Sequence, residues 1–309
     1  MILDSIPVDM RVSISPTFFG ENAVIRLLVG QTSSLALEEL GFSEKDLKRI
    51  KRNIQKSYGM VIATGPTGSG KTTTLYAILN VLNSRERSIV TIEDPIEYTV
   101  PGVTQIQINP RTDLTFAKGL RTIVRQDPNI IMVGEIRDEE TAGISINAAM
   151  TGHLLLSTLH TNSAAITLPR LLDMGVEPFL IASTINMAIG QRLVRRLCKD
   201  CREKKKLSHI ERESLSNFVS PKELKAILFS YIPHGCPTCS STGYIGRLGI
   251  YEVLEMSETI KRLIMKRENA VEIQNVALKE GMTTMISDGI SKAAAGLTSL
   301  AEVVRVIQE

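Results

Sequence analysis

Tryptophan is absent from the 309-residue chain, and aromatic residues make up only 4% of it. Few π-faces are therefore available for stacking nucleic-acid bases, which disfavours a single-strand-binding surface. An excess of one charge is lacking too. The 36 basic and 33 acidic residues leave a net charge of +3, too small for the field of a typical nucleic-acid-binding domain. No hydrophobic run approaches the ~20 residues of a membrane helix, and the N-terminus lacks a signal-peptide pattern, so a soluble, cytoplasmic chain is expected. Cysteine is scarce. The four present form two CxxC pairs, Cys198 with Cys201 and Cys236 with Cys239, a usage that in a cytosolic chain reads as metal binding or redox chemistry before disulfide scaffolding.

What remains is an ordinary globular composition, 43% hydrophobic and 22% charged, long enough for one large or two medium domains. Residues 1–30 carry two strand-like runs, "RVSISP" and "NAVIRLLV", joined by a turn-rich stretch. Two strands cannot bury a core alone, so they are expected to be the tail of an N-terminal domain or an arm packed on the rest. Residues 31–42 read as a linker, followed by an amphipathic helix from about Leu47 to Ser57. From Gly59 to about Met187 buried strands alternate with amphipathic helices, the pattern of a parallel sheet covered on both faces. "VTQIQIN" is a strand of this region or a side hairpin. The pattern changes after Gln191, with a four-cysteine subdomain expected over 192–250 and a helical region over 251–309.

The segment "GPTGSGKTT" matches the phosphate-loop pattern and lies between a strand and a helix, as its mechanism requires. Gly65, Pro66, Thr67, Gly68, Ser69 and Gly70 would turn successive backbone N–H groups toward phosphates at a helix N-terminus. Lys71 would reach the β and γ phosphates, Thr72 would ligate Mg²⁺, and Thr73 completes the nucleotide-binding run.

Three further segments end predicted strands: "TIEDPIEY", "IIMVGEIRD" and "TGHLLLSTLHTN". With the phosphate loop they resemble, in order, the Asp, Walker B and His boxes of the secretion ATPase family, the motors of type II secretion and type IV pilus assembly. The resemblance runs from about Arg11 to the C-terminus. It implies a RecA-like P-loop NTPase of the α/β class, with a parallel-rich central sheet, a remnant N-terminal α+β segment of PAS-like origin (1–30), an ATPase domain over 43–191, and a zinc-bound and helical C-terminal region. It also divides the carboxylates. Glu97 matches the position of the general base, and Glu135 the glutamate that acts on Mg²⁺ through water. Hydrolysis needs one carboxylate beside the attacking water and another holding the metal. Glu93 and Asp94 are expected to hold the loop or the metal shell. His160 matches the γ-phosphate sensor, whereas His153 is expected to pack or cap.

Arginines complete the expected set. Arg121 and Arg125 lie i, i+4 on one helix face, and the resemblance implies a nucleotide or subunit-interface role for them. Arg11 and Arg26, fifteen residues apart, match two family arginines that reach ATP when the N-terminal domain closes on the motor domain. The implied assembly is a homohexamer that pushes on an inner-membrane platform protein, peripheral to the cytoplasmic membrane through its partners, with no nucleic acid bound. A RecA-like nucleic-acid translocase is the alternative reading, and a non-enzymatic nucleotide-gated scaffold a further one.

The four thiolates suffice to close a tetrahedral Zn²⁺ shell at roughly 2.3 Å per bond. All four positions would be filled, so such a zinc is structural. The 34 residues between the pairs require a small subdomain to fold between them. The secretion and pilus-assembly motors carry this module and the retraction motors lack it. A redox pair or unligated thiols are the other readings. The basic run Arg192 to Lys206 would face acidic partners or an anionic membrane surface, or simply solvent.

Overall fold

In the computed structural model, residues 2–3, 6–29, 36–216, 218, 221–227 and 229–308 are described. Strands β1 (Ile2–Leu3), β2 (Ile6–Thr17) and β3 (Gly20–Val29) form a three-stranded antiparallel sheet. Its register pairs Val12 with Ile25 and Arg11 with Arg26. Met10, Val12, Ile14 and Ile25 are all largely exposed. The "GQTSS" stretch, residues 30–34, lies outside the described residues. By Leu37–Leu40, a single 3₁₀ turn, the chain is already in the core, with Leu37 fully buried.

The main body alternates strand and helix. In order come α1 (Glu44–Ile54), β4 (Gly59–Thr64), α2 (Lys71–Leu82), β5 (Ile89–Glu93), β6 (Thr104–Gln107), α3 (Phe116–Val124), β7 (Ile130–Val133), α4 (Glu139–Met150) and β8 (Leu154–Leu159). Helices α5 (Ala164–Asp173) and α6 (Pro178–Thr184) follow, then the long strand β9 (Ile185–Leu197). The remainder holds β10 (Glu203–Lys206), α7 (His209–Ser216), α8 (Pro221–Ala226), β11 (Phe229–Ile232), β12 (Tyr244–Glu255), α9 (Glu258–Met265), α10 (Ala270–Lys279), α11 (Met285–Ala294) and α12 (Leu300–Gln308).

Seven strands form the central sheet in the order β12-β9-β4-β8-β7-β5-β6. All neighbours pair in parallel except β12, which runs antiparallel to β9. Strand β6 is thus a parallel edge strand beside β5, not a side hairpin. Every residue of β4 and β8 is buried, the mark of a strand covered on both faces. Alternate residues of β4 serve opposite layers. Val61 and Ala63 pack with α1 and α2, while Met60 and Ile62 pack with α4, α5, α6, α9 and α10. Val61, Met60 and Ile62 each contribute about 1.5–3 kcal/mol on burial. No helix among the described residues is long and apolar enough to cross a membrane.

The expected domain boundaries can be placed on these strands. The divisions at 191/192 and 250/251 fall inside β9 and β12, which pair over ten positions and extend the central sheet. Strand β9 stays buried from Ile185 to Arg192, so it cannot be cut without exposing the sheet. The first helix also begins earlier than expected, because the Ser43 hydroxyl accepts from the Asp46 N–H and caps the helix there.

Candidate active site

The parallel strands β4, β5, β7 and β8 end on one edge of the sheet, where open α/β sheets place ligands. The loop between β4 and α2 carries Gly65 to Gly70, and glycines at three points take positive φ: 149° at Gly65, 80° at Gly68 and 87° at Gly70. Gly70 caps α2 with no side chain of its own. The first-turn N–H groups of α2 thus face outward as unspent donors, the arrangement that receives an anion. Lys71 is buried, and its Nζ donates to the carbonyls of Gly65 (2.9 Å) and Pro66 (3.1 Å). Burial pulls its ammonium below the ordinary lysine value, while the nearby charge of Glu135 opposes that shift. The Thr72 hydroxyl, half-buried, makes no hydrogen bond among the described residues.

Two strands away, Glu135 follows β7 with only 12% of its side chain exposed. Its carboxylate is held from both sides. Oε1 accepts from the Arg137 guanidinium at 2.5 Å, and Oε2 lies 3.1 Å from Nε2 of His160, which follows β8. Backbone geometry fixes this pairing: Thr158 Oγ1 donates to the Gly134 carbonyl and the Ile136 N–H to the Thr158 carbonyl. The Glu135 and His160 expected from separate boxes therefore meet. Arg137 joins them; its proximity in "GEIRD" was the only sequence signal for it.

The Asp-box carboxylates have distinct environments. Glu93, 2% exposed, accepts from the Tyr76 hydroxyl (2.5 Å), the Thr91 hydroxyl (2.5 Å) and the Gln105 amide (3.2 Å). It braces the start of the loop against α2 through these three hydrogen bonds. Burial, then Glu93 itself, raises the Tyr76 phenol well above its usual value, and the same causes push Tyr98 up to about 12. Tyr76 and Tyr98 stack at 4.2 Å between centroids. Beyond the cis Asp94–Pro95 bond, Glu97 is exposed, and its carboxylate makes no hydrogen bond or ion pair among the described residues.

The remaining expected residues fall elsewhere. His153 is buried at 8% exposure, with Nδ1 2.9 Å from the Ala148 carbonyl, and closes the end of α4. Arg121 pairs with Glu140 of α4 at 2.6 Å, on the layer opposite α2, and Arg125 is the exposed C-cap of α3. Neither meets the phosphate loop within this chain. Arg11 and Arg26 are cross-strand partners in the N-terminal sheet.

At the far end of β9 the four cysteine sulfurs all lie within 4.8 Å of one another. Three pairs measure 3.8, 3.8 and 3.6 Å. A regular tetrahedron with ~2.3 Å bonds has edges of about 3.8 Å, whereas a disulfide would require about 2.05 Å. The backbone N–H groups of Cys236 and Gly243 each donate to Cys239 Sγ at 3.1 Å. Burial works against that thiolate, but these donors outweigh it and lower Cys239 to about 6. The donor set fits a thiophilic tetrahedral cation.

The family described as "Type II/IV secretion system protein" matches residues 1–305. The type II secretion system ATPase E of Vibrio cholerae is 47% identical over 302 residues, covering 98% of this chain and 59% of that protein. The type IV pilus assembly ATPase PilB of Pseudomonas aeruginosa is 45% identical, covering 98% and 53% respectively. This chain thus spans little more than half the length of those relatives. Among solved structures, the pilus retraction motor PilT with bound ADP is 27% identical at a TM-score of 0.68, covering 96% of this chain and 73% of that one. With the seven-stranded sheet and its phosphate loop, that likeness makes the fold a RecA-like one, and the chain belongs to the type II/IV secretion system protein family.

Proposed function

We propose that this chain is the catalytic part of an ATPase motor that powers type II secretion or type IV pilus assembly. The observation that carries the reading is the convergence of a buried Lys71, Glu135 and His160 at the phosphate-loop edge of one parallel sheet. Lys71 and the loop N–H groups would bind the β and γ phosphates. Thr72 and Glu135 would hold Mg²⁺, which supplies charge neutralisation at the phosphates. To do so Glu135 must exchange at least one of its present partners, Arg137 or His160, and His160 is then free to donate to the γ-phosphate. Glu97, unpaired and exposed, would polarise the attacking water.

Zn²⁺ is the cation best suited to the four thiolates, with a structural role. Arg11 and Arg26, level with each other across β2 and β3, would approach the phosphates from the N-terminal sheet, and Arg121 and Arg125 would act across a subunit contact. The working form is a homohexamer at the inner face of the cytoplasmic membrane, docked on a platform protein of the secretion or pilus system. The names of the relatives support a secretion motor over a nucleic-acid translocase.

The test is Mg-dependent ATP hydrolysis by the chain and two isosteric variants. Glu97→Gln should keep Mg·ATP affinity and lose turnover. Glu135→Gln should also shift the Mg²⁺ dependence. Identical Mg²⁺ titrations for the two variants would refute the divided roles.

A further inference from the structure

We infer that Gln191 is a positioning residue for phosphate binding, acting from β9 on the peptide unit between Ser69 and Gly70. The inference rests on the ATPase reading and adds to it a residue outside the phosphate loop and its three boxes.

Gln191 is 1% exposed, in a strand whose neighbours on both sides are paired. A buried amide with nothing to do there would be costly. Its Nε2 donates to the Ser69 carbonyl at 2.8 Å. Its own backbone carbonyl closes on the loop as well: a Cβ on Gly65 would lie 2.4 Å from the Gln191 carbonyl oxygen. A Cβ on Gly70 would come within 3.3 Å of Gln191 Nε2. Gln191 thus packs against both ends of the phosphate loop, its backbone on Gly65 and its side chain on Gly70.

The consequence follows from the planar peptide bond. In a trans peptide unit the C=O and the following N–H point in opposite directions. By holding the Ser69 carbonyl inward, Gln191 aims the Gly70 N–H outward, where it meets no acceptor among the described residues. A free peptide in a glycine-rich loop could flip, and a flipped unit would present an oxygen to the phosphate instead of a donor. Gln191 opposes that flip, so the donor is set before the nucleotide arrives. A second observation points to a ligand at this place. Gln191 Oε1 and Ser69 Oγ are both buried without a hydrogen-bond partner; the Ser69 hydroxyl can donate to a phosphate oxygen, and Gln191 Oε1 can accept from a water bound there.

The experiment compares steady-state ATP hydrolysis and MgATP binding for the full chain and its variants, alongside thermal melting. Gln191→Met removes the donor at nearly constant shape. It should raise KM and the MgATP dissociation constant by about tenfold or more, with lower kcat, at a native melting temperature. Gln191→His, whose Nε2–H lies at a similar distance from the backbone, should recover most of the affinity. If Gln191→Met does not fold, Gln191→Asn is read instead, since its shorter amide withdraws the donor from Ser69. A folded variant with wild-type KM and dissociation constant overturns the inference. So does a lower melting temperature and active fraction with unchanged KM, which marks a purely structural role. Failure of the native chain to bind or hydrolyse ATP would instead sink the ATPase reading, and the two results cannot be confused.

Discussion

Stripping the metal from the thiolate cluster should loosen the C-terminal half of the molecule by a calculable amount. Cys198 directly follows β9 and Cys236 lies 38 residues later, just ahead of β12, so a cation shared by them cross-links the two strands of the sheet edge. Treated as a covalent cross-link, a closed loop of that length removes roughly 4 kcal/mol of chain entropy from the unfolded state. At about 2–4 °C per kcal/mol for a body of this size, the melting midpoint should fall by roughly 8–16 °C. The assay is calorimetric melting before and after a strong chelator, with metal content measured on the same samples and re-addition of Zn²⁺ as the control. Cys239→Ser should reproduce the chelated melt, because the N–H donors of Cys236 and Gly243 converge on that sulfur. Protein that holds well under one metal per chain yet melts as high as the loaded form would refute the reasoning.

Removing the Tyr76 hydroxyl leaves the buried Glu93 carboxylate short of a donor. Tyr76→Phe should therefore cost about 1–3 kcal/mol in denaturant unfolding, and turnover should fall through the loosened loop that carries Glu97; a variant with native stability would show that the brace carries no strain-free energy worth keeping. Acid should undock α12. The Glu302 carboxylate opposes its own burial by pairing with Arg305 and Arg195, which together hold it down to about 2. A group depressed on folding stabilises above its unfolded value, and that share, roughly 1–3 kcal/mol, should vanish as the pH falls from about 4.5 to about 2. Glu302→Gln should flatten that part of the stability profile, and an unchanged acid limb would exclude Glu302 as its source.

The sequence made the core strands readable where burial on both faces leaves continuous aliphatic runs, as in "MVIAT", "IIMV" and "HLLLSTL". It hid β9. "INMAIGQRLVRRL" follows directly on a helix and carries Gln191, Arg192 and Arg195, polar residues whose partners lie far along the chain: Arg192 finds the Val306 carbonyl at 2.7 Å and Arg195 finds Glu302. The ribbon of β10 and β11 was hidden for a related reason, since "EKKK" reads as a solvated charge run and becomes a strand only by pairing with "FSYI". Within the site, the phosphate loop and cysteines announce themselves by spacing, because their chemistry tolerates no other. Glu93 did not disclose its role: a carboxylate at a strand end has the same letters whether it meets a metal or a tyrosine hydroxyl. Gln191 gave no signal at all, being one amide in a basic stretch.

Strand β9 is also a lever. It pairs with β4 only as far as Gly190, and from Gln191 onward its one partner strand is β12, with further bonds from Arg195 and Leu197 to Glu302 and Leu297, until it leads into Cys198 at the thiolates. Those seven residues span about 23 Å at ~3.3 Å each. A rocking of about 5° at the phosphate-loop end displaces the far end by about 2 Å over that arm, on the order of one metal–sulfur bond length. A spectroscopically visible metal such as Co²⁺ placed in the thiolate cluster would show whether such a movement at the Ser69 carbonyl reaches that far end.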